Sequence, residues 1–297
     1  MKQLKQAGKT ILIADHRIHY LMEVVDRVVY LAKGEVKAQW TIDEFRQLSK
    51  TVLHSFDIRE KQEVYISELL REENQEPAFL ALQNLTIGYH RLAPSLIKDL
   101  NLTLAKGEIV LITGENGLGK TTLARTLCGL NKEQAGSISI NGQLQTAKKR
   151  REKCWFVLQD ADYQLFSDSV LNELLLGTKK TEKNLVKAER LLKELNLWKL
   201  KDQHPATLSG GQKQRLVFAV GLMRVPELLI LDEPTSGLDA GNMRRVQRMI
   251  VDYANKGITF VIITHDLEFA KGFGRRTIQL EKTASSKLQP SDLAVFK

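Results

Sequence analysis

The chain has 297 residues, 43% hydrophobic and 27% charged, which excludes disordered and collagen-like classes and leaves room for about two domains. Lys+Arg total 44 against 35 Asp+Glu, a formal net charge of +9. That balance calls for an anionic partner without choosing among nucleotide, nucleic acid and membrane surface. Cys128 and Cys154 exclude a disulfide scaffold and a four-cysteine zinc site and read as buried small hydrophobes. No apolar run reaches the ~18–20 residues of a membrane span, and the first residues lack an apolar h-region. The expectation is a chain that is soluble in the cytosol or held at a membrane by another protein.

In chain order, the first element is the apolar run Gly8-Lys9-Thr10-Ile11-Leu12-Ile13-Ala14-Asp15-His16. It resembles Gly257-Ile258-Thr259-Phe260-Val261-Ile262-Ile263-Thr264-His265 near the other end, and each run is followed by a helix-like stretch and a return strand, Val28–Leu31 and Thr277–Leu280. This is a partial internal repeat. Residues 1–77 hold 12 Lys+Arg and 13 Asp+Glu, so the whole positive excess lies after them. The polar stretch Arg71–Pro77 reads as a linker.

From residue 78 onward, short apolar strands alternate with helical segments, the pattern of an α/β layered domain. Strands are predicted at 79–86, 109–113, 155–158, 228–232 and 259–263. The stripe Leu185, Ala188, Leu192 and Leu195 predicts a packed helix over 184–197. The cluster Lys148-Lys149-Arg150-Arg151 reads as a solvated turn before a strand, with a nucleic-acid contact as the competing reading.

Three motifs carry chemistry. Gly114-Glu115-Asn116-Gly117-Leu118-Gly119-Lys120-Thr121-Thr122 follows a strand and opens a helix, as a phosphate-binding P-loop requires. Its glycines turn backbone N–H groups inward around phosphate oxygens, Lys120 reaches the β- and γ-phosphates, and the Thr121 hydroxyl suits Mg²⁺. Leu228–Leu231 ends in Asp232 and Glu233, delivering two carboxylates to the carboxyl edge of a parallel sheet. Asp232 suits the surroundings of Mg²⁺, and Glu233 suits polarising a water. Leu208-Ser209-Gly210-Gly211-Gln212 is a second capped, glycine-containing helix start. One domain has little use for two γ-phosphate sites, so this pentapeptide suggests ATP held between two domains.

On these motifs, residues 78–281 resemble the ABC ATPase family, whose signature is Leu-Ser-Gly-Gly-Gln. The resemblance implies an α/β P-loop NTPase fold with a mixed or parallel core sheet, an antiparallel β subdomain and a helical subdomain at about 160–215. It implies that Tyr89 stacks on adenine, that Gln159 contacts Mg²⁺ and senses a transmembrane partner, and that Ser236-Gly237-Leu238-Asp239 is the D-loop. His265 takes the place of the switch histidine on the γ-phosphate. Implied cofactors are ATP and Mg²⁺. Gln159–Phe166 is similar to the same segment in energy-coupling-factor importers of vitamins and metal ions. The implied partners are therefore a scaffold and a substrate-binding permease subunit, with a second ATPase domain, at the cytoplasmic face of the membrane and with no nucleic acid.

Within the same resemblance, residues 1–50 look like the last part of a first ATPase domain, 51–77 a linker and 78–297 a complete domain. The P-loop and Asp-Glu strand of that first copy would fall before Met1. Arg17 stands where an acidic or polar residue usually follows the histidine, so His16 is assigned no active role. The expected activity is ATP hydrolysis dependent on self-association or a separate ATPase. The alternatives are a soluble ABC protein acting on nucleic acid or ribosomes, and an inactive remnant.

Overall fold

The runs Ile109–Gly114 (β5), Leu228–Asp232 (β9) and Thr259–Ile263 (β10) are apolar on both faces, as strands in the middle of a parallel sheet must be. The computed structural model describes residues 1–62, 77–273 and 276–281. Chain order begins with α1 (Lys2–Gln6), β1 (Arg27–Ala32), β2 (Glu35–Thr41), α2 (Ile42–Gln47) and α3 (Lys50–Ser55). There follow β3 (Ala78–Gly88), β4 (Ser95–Ala105), β5, α4 (Lys120–Leu127), β6 (Ala135–Ile140), β7 (Gln143–Leu144), α5 (Ala147–Lys153) and β8 (Cys154–Val157). The remainder is α6 (Val170–Leu175), α7 (Glu182–Glu194), α8 (Gly210–Met223), β9, α9 (Ala240–Asn255), β10, α10 (Leu267–Lys271) and β11 (Thr277–Leu280).

The central sheet runs β11-β5-β10-β9-β8, and every pairing in it is parallel. Side chains alternate between two cores. Leu111, Leu229, Leu231, Phe260 and Ile262 join the helical layer of α7, α8 and α9. Val110, Ile112, Leu228, Ile230, Val261 and Ile263 face α4 and the antiparallel sheet β4-β3-β6-β7. Each such side chain removed from water contributes roughly 1.5–3 kcal/mol, so the sandwich of sheet between two layers fixes strand register strongly. Cys128 and Cys154 are both buried and free, packed in the second of these cores.

Four readings from sequence need correction. The 184–197 stripe forms α7, but only Ala188, Leu192 and Leu195 are buried; Leu185 is 42% exposed because it lies a turn before the helix meets its neighbours. The basic cluster is helical, not a turn. Arg150 in α5 is 0% exposed and bridges Glu133, Thr126 O and Gln145 O, while Arg151 donates to Gly129 O. One of its four cations is therefore buried inside the fold, and a second, exposed at the surface, is tied to a backbone carbonyl.

The third concerns Ile11–Ala14, which forms no strand, and Leu12 is 98% exposed. Its counterpart β10 lies between β5 and β9, with a ladder on each side. Residues 1–62 supply no such neighbours, so the apolar pattern is present but the hydrogen-bonding partners are not. The return strand does form: β1 pairs antiparallel with β2. That hairpin builds a small aromatic core in which Tyr30 and Trp40 meet Phe56 edge-on at 5.1 and 5.3 Å between ring centres, with Phe45 against Trp40. Thr41 and Glu44 start α2 with reciprocal caps. Residues 51–62, read as linker, instead complete α3 and a docked segment; the polar stretch 71–76 lies outside the described residues.

Candidate nucleotide site

Parallel strands bring their carboxyl ends to one edge, and the chemistry is there. β5 runs into the loop 115–119, and Gly119 adopts φ +94° as it caps α4, a turn that a side chain would strain. Lys120 Nζ donates to Gly114 O at 2.6 Å and Glu115 O at 2.7 Å. Burial lowers its pKa, opposed by Glu233 and Asp232. Thr121 Oγ1 donates to Asp232 Oδ2 at 2.8 Å across the gap between α4 and β9. Burial pushes the Asp232 carboxyl up, with the Thr121 hydroxyl, Lys120 and His265 opposing.

Glu233 leaves β9 at φ +48°, in the left-handed region that costs a non-glycine residue of order 1 kcal/mol or more and that clusters at functional sites. Its carboxylate is fixed by two donors, His265 N at 2.9 Å and Thr264 Oγ1 at 3.1 Å. Burial raises its pKa against those bonds, and Asp232 and Asp266 raise it further. His265 Nε2 lies 3.9 Å from Glu233 Oε1. Partial burial, then Lys120 and Arg17, hold the imidazole below its ordinary pKa. The next residue, Asp266, accepts from Thr235 Oγ1 at 2.7 Å and caps α10 at Phe269 N, 3.1 Å.

These groups face one cavity of about 580 Å³. Asn116, Gly117, Gly119, Lys120, Thr121, Thr122, Tyr89, Gln159, Asp232, Glu233 and His265 all line it. Gly114 stands outside the lining and acts through its carbonyl on Lys120. Tyr89 and Gln159 are exposed at its mouth.

The Ser209–Gln212 segment does not reach this cavity. Ser209 and Gln212 form reciprocal caps at the start of α8, with Ser209 and Gly210 open to solvent. Asp239 also lies outside, capping α9 at Asn242 N, 2.7 Å. The segment still touches the site indirectly: a Cβ on Gly211 would sit 2.4 Å from Gly237 O, and Gln214 Nε2 donates to Glu233 O at 3.5 Å.

Sequence reasoning missed several contributors. Gln164 holds the strand end before Gln159, accepting from Leu158 N at 2.7 Å and donating to Phe156 O at 2.8 Å. Thr235 and Arg59 also line the cavity; only Thr235, two residues after Glu233, carried a local signal.

The donor set offered to a cation is all oxygen: the Thr121 hydroxyl, the Gln159 amide and the Asp232 carboxylate. That chemistry fits a hard divalent ion completed by phosphate and water. Among the described residues no cluster of three or more His, Cys, Asp or Glu could hold a metal by itself.

A P-loop beside strand-end carboxylates on a parallel sheet defines a nucleotide-binding P-loop domain. Residues 97–236 match the family model described as ABC transporter. A Treponema denticola protein bearing the name ABC transporter ATP-binding protein is 41% identical over 287 residues, 94% of this chain and 58% of its own length. A Methanosarcina acetivorans protein so named is 34% identical, over 95% of this chain and 54% of its own. The chain thus spans little more than half the length of these relatives. Among solved structures, cbiO1 from Clostridium perfringens, part of the ABC transporter complex cbiONQ, is 33% identical with TM-score 0.57, covering 65% of this chain and 80% of that one. A dimeric ATP-binding cassette in a post-hydrolysis state with ADP and Pi is 29% identical with TM-score 0.60, covering 68% and 94%. The chain belongs to the ABC transporter ATP-binding protein family.

Proposed function

We propose that this chain is an ATP-hydrolysing subunit that powers an ABC importer of the energy-coupling-factor type, carrying a vitamin or a metal ion. One observation carries the reading. The P-loop, Glu233 and His265 share a cavity, while the signature segment Ser209–Gln212 does not line it and presents Ser209 and Gly210 to solvent. A segment that binds phosphate with its helix start, but not in its own domain's site, completes the site of another ATPase domain. The dimeric ADP-bound cassette among the similar structures supports this.

In the mechanism, the P-loop N–H groups and Lys120 hold the polyphosphate and Tyr89 packs on the base. Glu233, its burial raising its affinity for a proton, accepts one from the attacking water. His265, whose affinity for a proton is lowered by burial, Lys120 and Arg17, donates to the terminal phosphate. Thr121, Asp232 and Gln159 would hold Mg²⁺, which when bound neutralises charge on the β- and γ-phosphates. Catalysis rests on positioning and charge stabilisation.

Similarity to cbiO1 and the sequence Gln159–Phe166 support the importer class. Tyr163 and Phe166 are exposed in the segment after Gln159, a surface suited to an apolar partner. Among the described residues no helix is long and apolar enough to cross a membrane, so this reading gives the membrane role to separate permease subunits. Residues 1–50 correspond to the end of a first ATPase domain. The repeat supports this, as does a match of 94% of the chain within a longer relative. The nucleic-acid alternative loses one of the four cations of its basic cluster with the burial of Arg150.

The test is Glu233→Gln. It should retain ATP, abolish turnover and shift the chain to a dimer on a sizing column with light scattering. A Glu233→Gln protein that hydrolyses ATP at the wild-type rate as a monomer refutes the assignment.

A further inference from the structure

The cavity described above is not built by the ATPase domain alone. Asp15, His16, Arg17 and Arg59 line it as well. They come from residues 1–62, on the far side of the 63–76 connection.

The placement is anchored. Arg59 is 2% exposed. Its Nε and Nη2 donate to Leu238 O at 3.2 and 3.1 Å, and Nη1 pairs with Asp266 beside His265. Glu60 N donates to Glu268 Oε1 at 3.1 Å, and Asp57 O accepts from Ala240 N at 3.1 Å. Residues 57–60 are thus fastened to the D-loop, to the start of α9 and to the segment following His265.

The turn at Asp15 has its own logic. Asp15 Oδ1 accepts from Arg17 N at 2.9 Å, and Oδ2 takes the Tyr20 hydroxyl. Both carboxylate oxygens therefore have donors. The Arg17 guanidinium shows no hydrogen bond or ion pair among the described residues. It nonetheless lines the cavity, close enough to His265 that its charge opposes protonation there. A guanidinium offers five N–H donors in a planar fork and matches phosphate oxygens better than any other side chain.

We infer that Arg17 is a phosphate-binding residue of this site, contributed by the N-terminal segment, and that it contacts the terminal phosphate of a nucleoside triphosphate on the His265 side of the cavity. The inference rests on the reading of the cavity as an ATP site. It adds a selectivity: a ligand lacking the third phosphate does not reach Arg17, so the residue discriminates triphosphate from diphosphate.

The experiment is calorimetric titration of the full chain with Mg-ATP and Mg-ADP, using wild type, Arg17→Ala, Arg17→Lys and Lys120→Ala. Arg17→Ala should weaken ATP about tenfold, the scale of one charge-assisted contact, and leave ADP within twofold. Arg17→Lys should recover part of the loss. Arg17 is exposed, so both variants should keep wild-type circular dichroism. Unchanged ATP affinity in Arg17→Ala overturns the inference, as does an equal fall for ATP and ADP. A wild type that binds neither nucleotide sinks the ATP-site reading itself. A wild type that binds both, with Lys120→Ala binding neither and Arg17→Ala unaffected, sinks only the role of Arg17.

Discussion

Replacing Arg59 with methionine removes a cation from a nearly dry environment while keeping most of the side chain's bulk. Arg59 pairs with Asp266, lies 3.7 Å from Glu268 and gives two N–H groups to Leu238 O. Breaking a buried pair by deleting one partner costs about 3–5 kcal/mol, because the remaining charge stays desolvated. Asp266 keeps two neutral donors, the Thr235 hydroxyl and Phe269 N. Each offsets about 1 kcal/mol, which puts the expected loss near 2 kcal/mol. Against a total stability of about 5–15 kcal/mol this is a large fraction.

Urea unfolding read by tryptophan fluorescence measures it. Trp40 reports the N-terminal hairpin, while Trp155 and Trp198 report the ATPase domain, so single-tryptophan versions separate undocking from global unfolding. Asp266→Asn in the Arg59→Met background should cost less than the sum of the two single changes, since the double variant leaves no bare charge. A loss below ~1 kcal/mol on all three tryptophans, with additive single changes, refutes the claim that this pair holds the two parts together.

Two further outcomes follow from the packing around α8. Gly211→Ala would place a Cβ 2.4 Å from Gly237 O, a backbone atom that cannot swing aside, whereas Gly210 has open space. Gly211→Ala should lose about 1–3 kcal/mol and most ATPase activity while still binding ATP, and Gly210→Ala should keep wild-type stability; equal urea midpoints for the two would contradict the packing. Lys187 donates to Leu222 O and Met223 O at the end of α8, and burial lowers its pKa to about 8. The folded chain therefore releases this proton earlier than the unfolded chain, whose lysine titrates near 10.4. Stability should rise between pH 8 and 10 relative to a Lys187→Met variant, and parallel pH profiles for the two proteins would rule this out.

Much of the site was legible because its residues sit in contiguous runs at strand ends. Gly114–Thr122, Asp232-Glu233 and His265 each follow an apolar strand, and a parallel sheet gathers such ends at one edge. β4 was not anticipated, although Ile97, Leu100, Leu102 and Leu104 are buried in it. Asn84 and Asp99 interrupt the β3–β4 pairing with positive φ, and the resulting register shifts blur the period-two pattern. Arg59 carried no signal, since its acceptors lie 179 and 207 residues away. Arg150 misled for the opposite reason: a run of four basic residues looks solvated, and only the tertiary fold shows that one of them lies beneath Glu133. The Ile11–Ala14 run shows the limit of pattern itself. Apolar periodicity states a capacity to join a sheet, and whether a strand results depends on neighbours.

That run also has a consequence for the protein's life in a cell. An apolar stretch with Leu12 exposed, its backbone groups without hydrogen bonds among the described residues, is the kind of segment that chaperones and proteases bind. If nothing shields it, the amount of protein present will be set by turnover of the polypeptide as much as by synthesis. A substitution such as Leu12→Lys would then lengthen its lifetime without touching the nucleotide cavity.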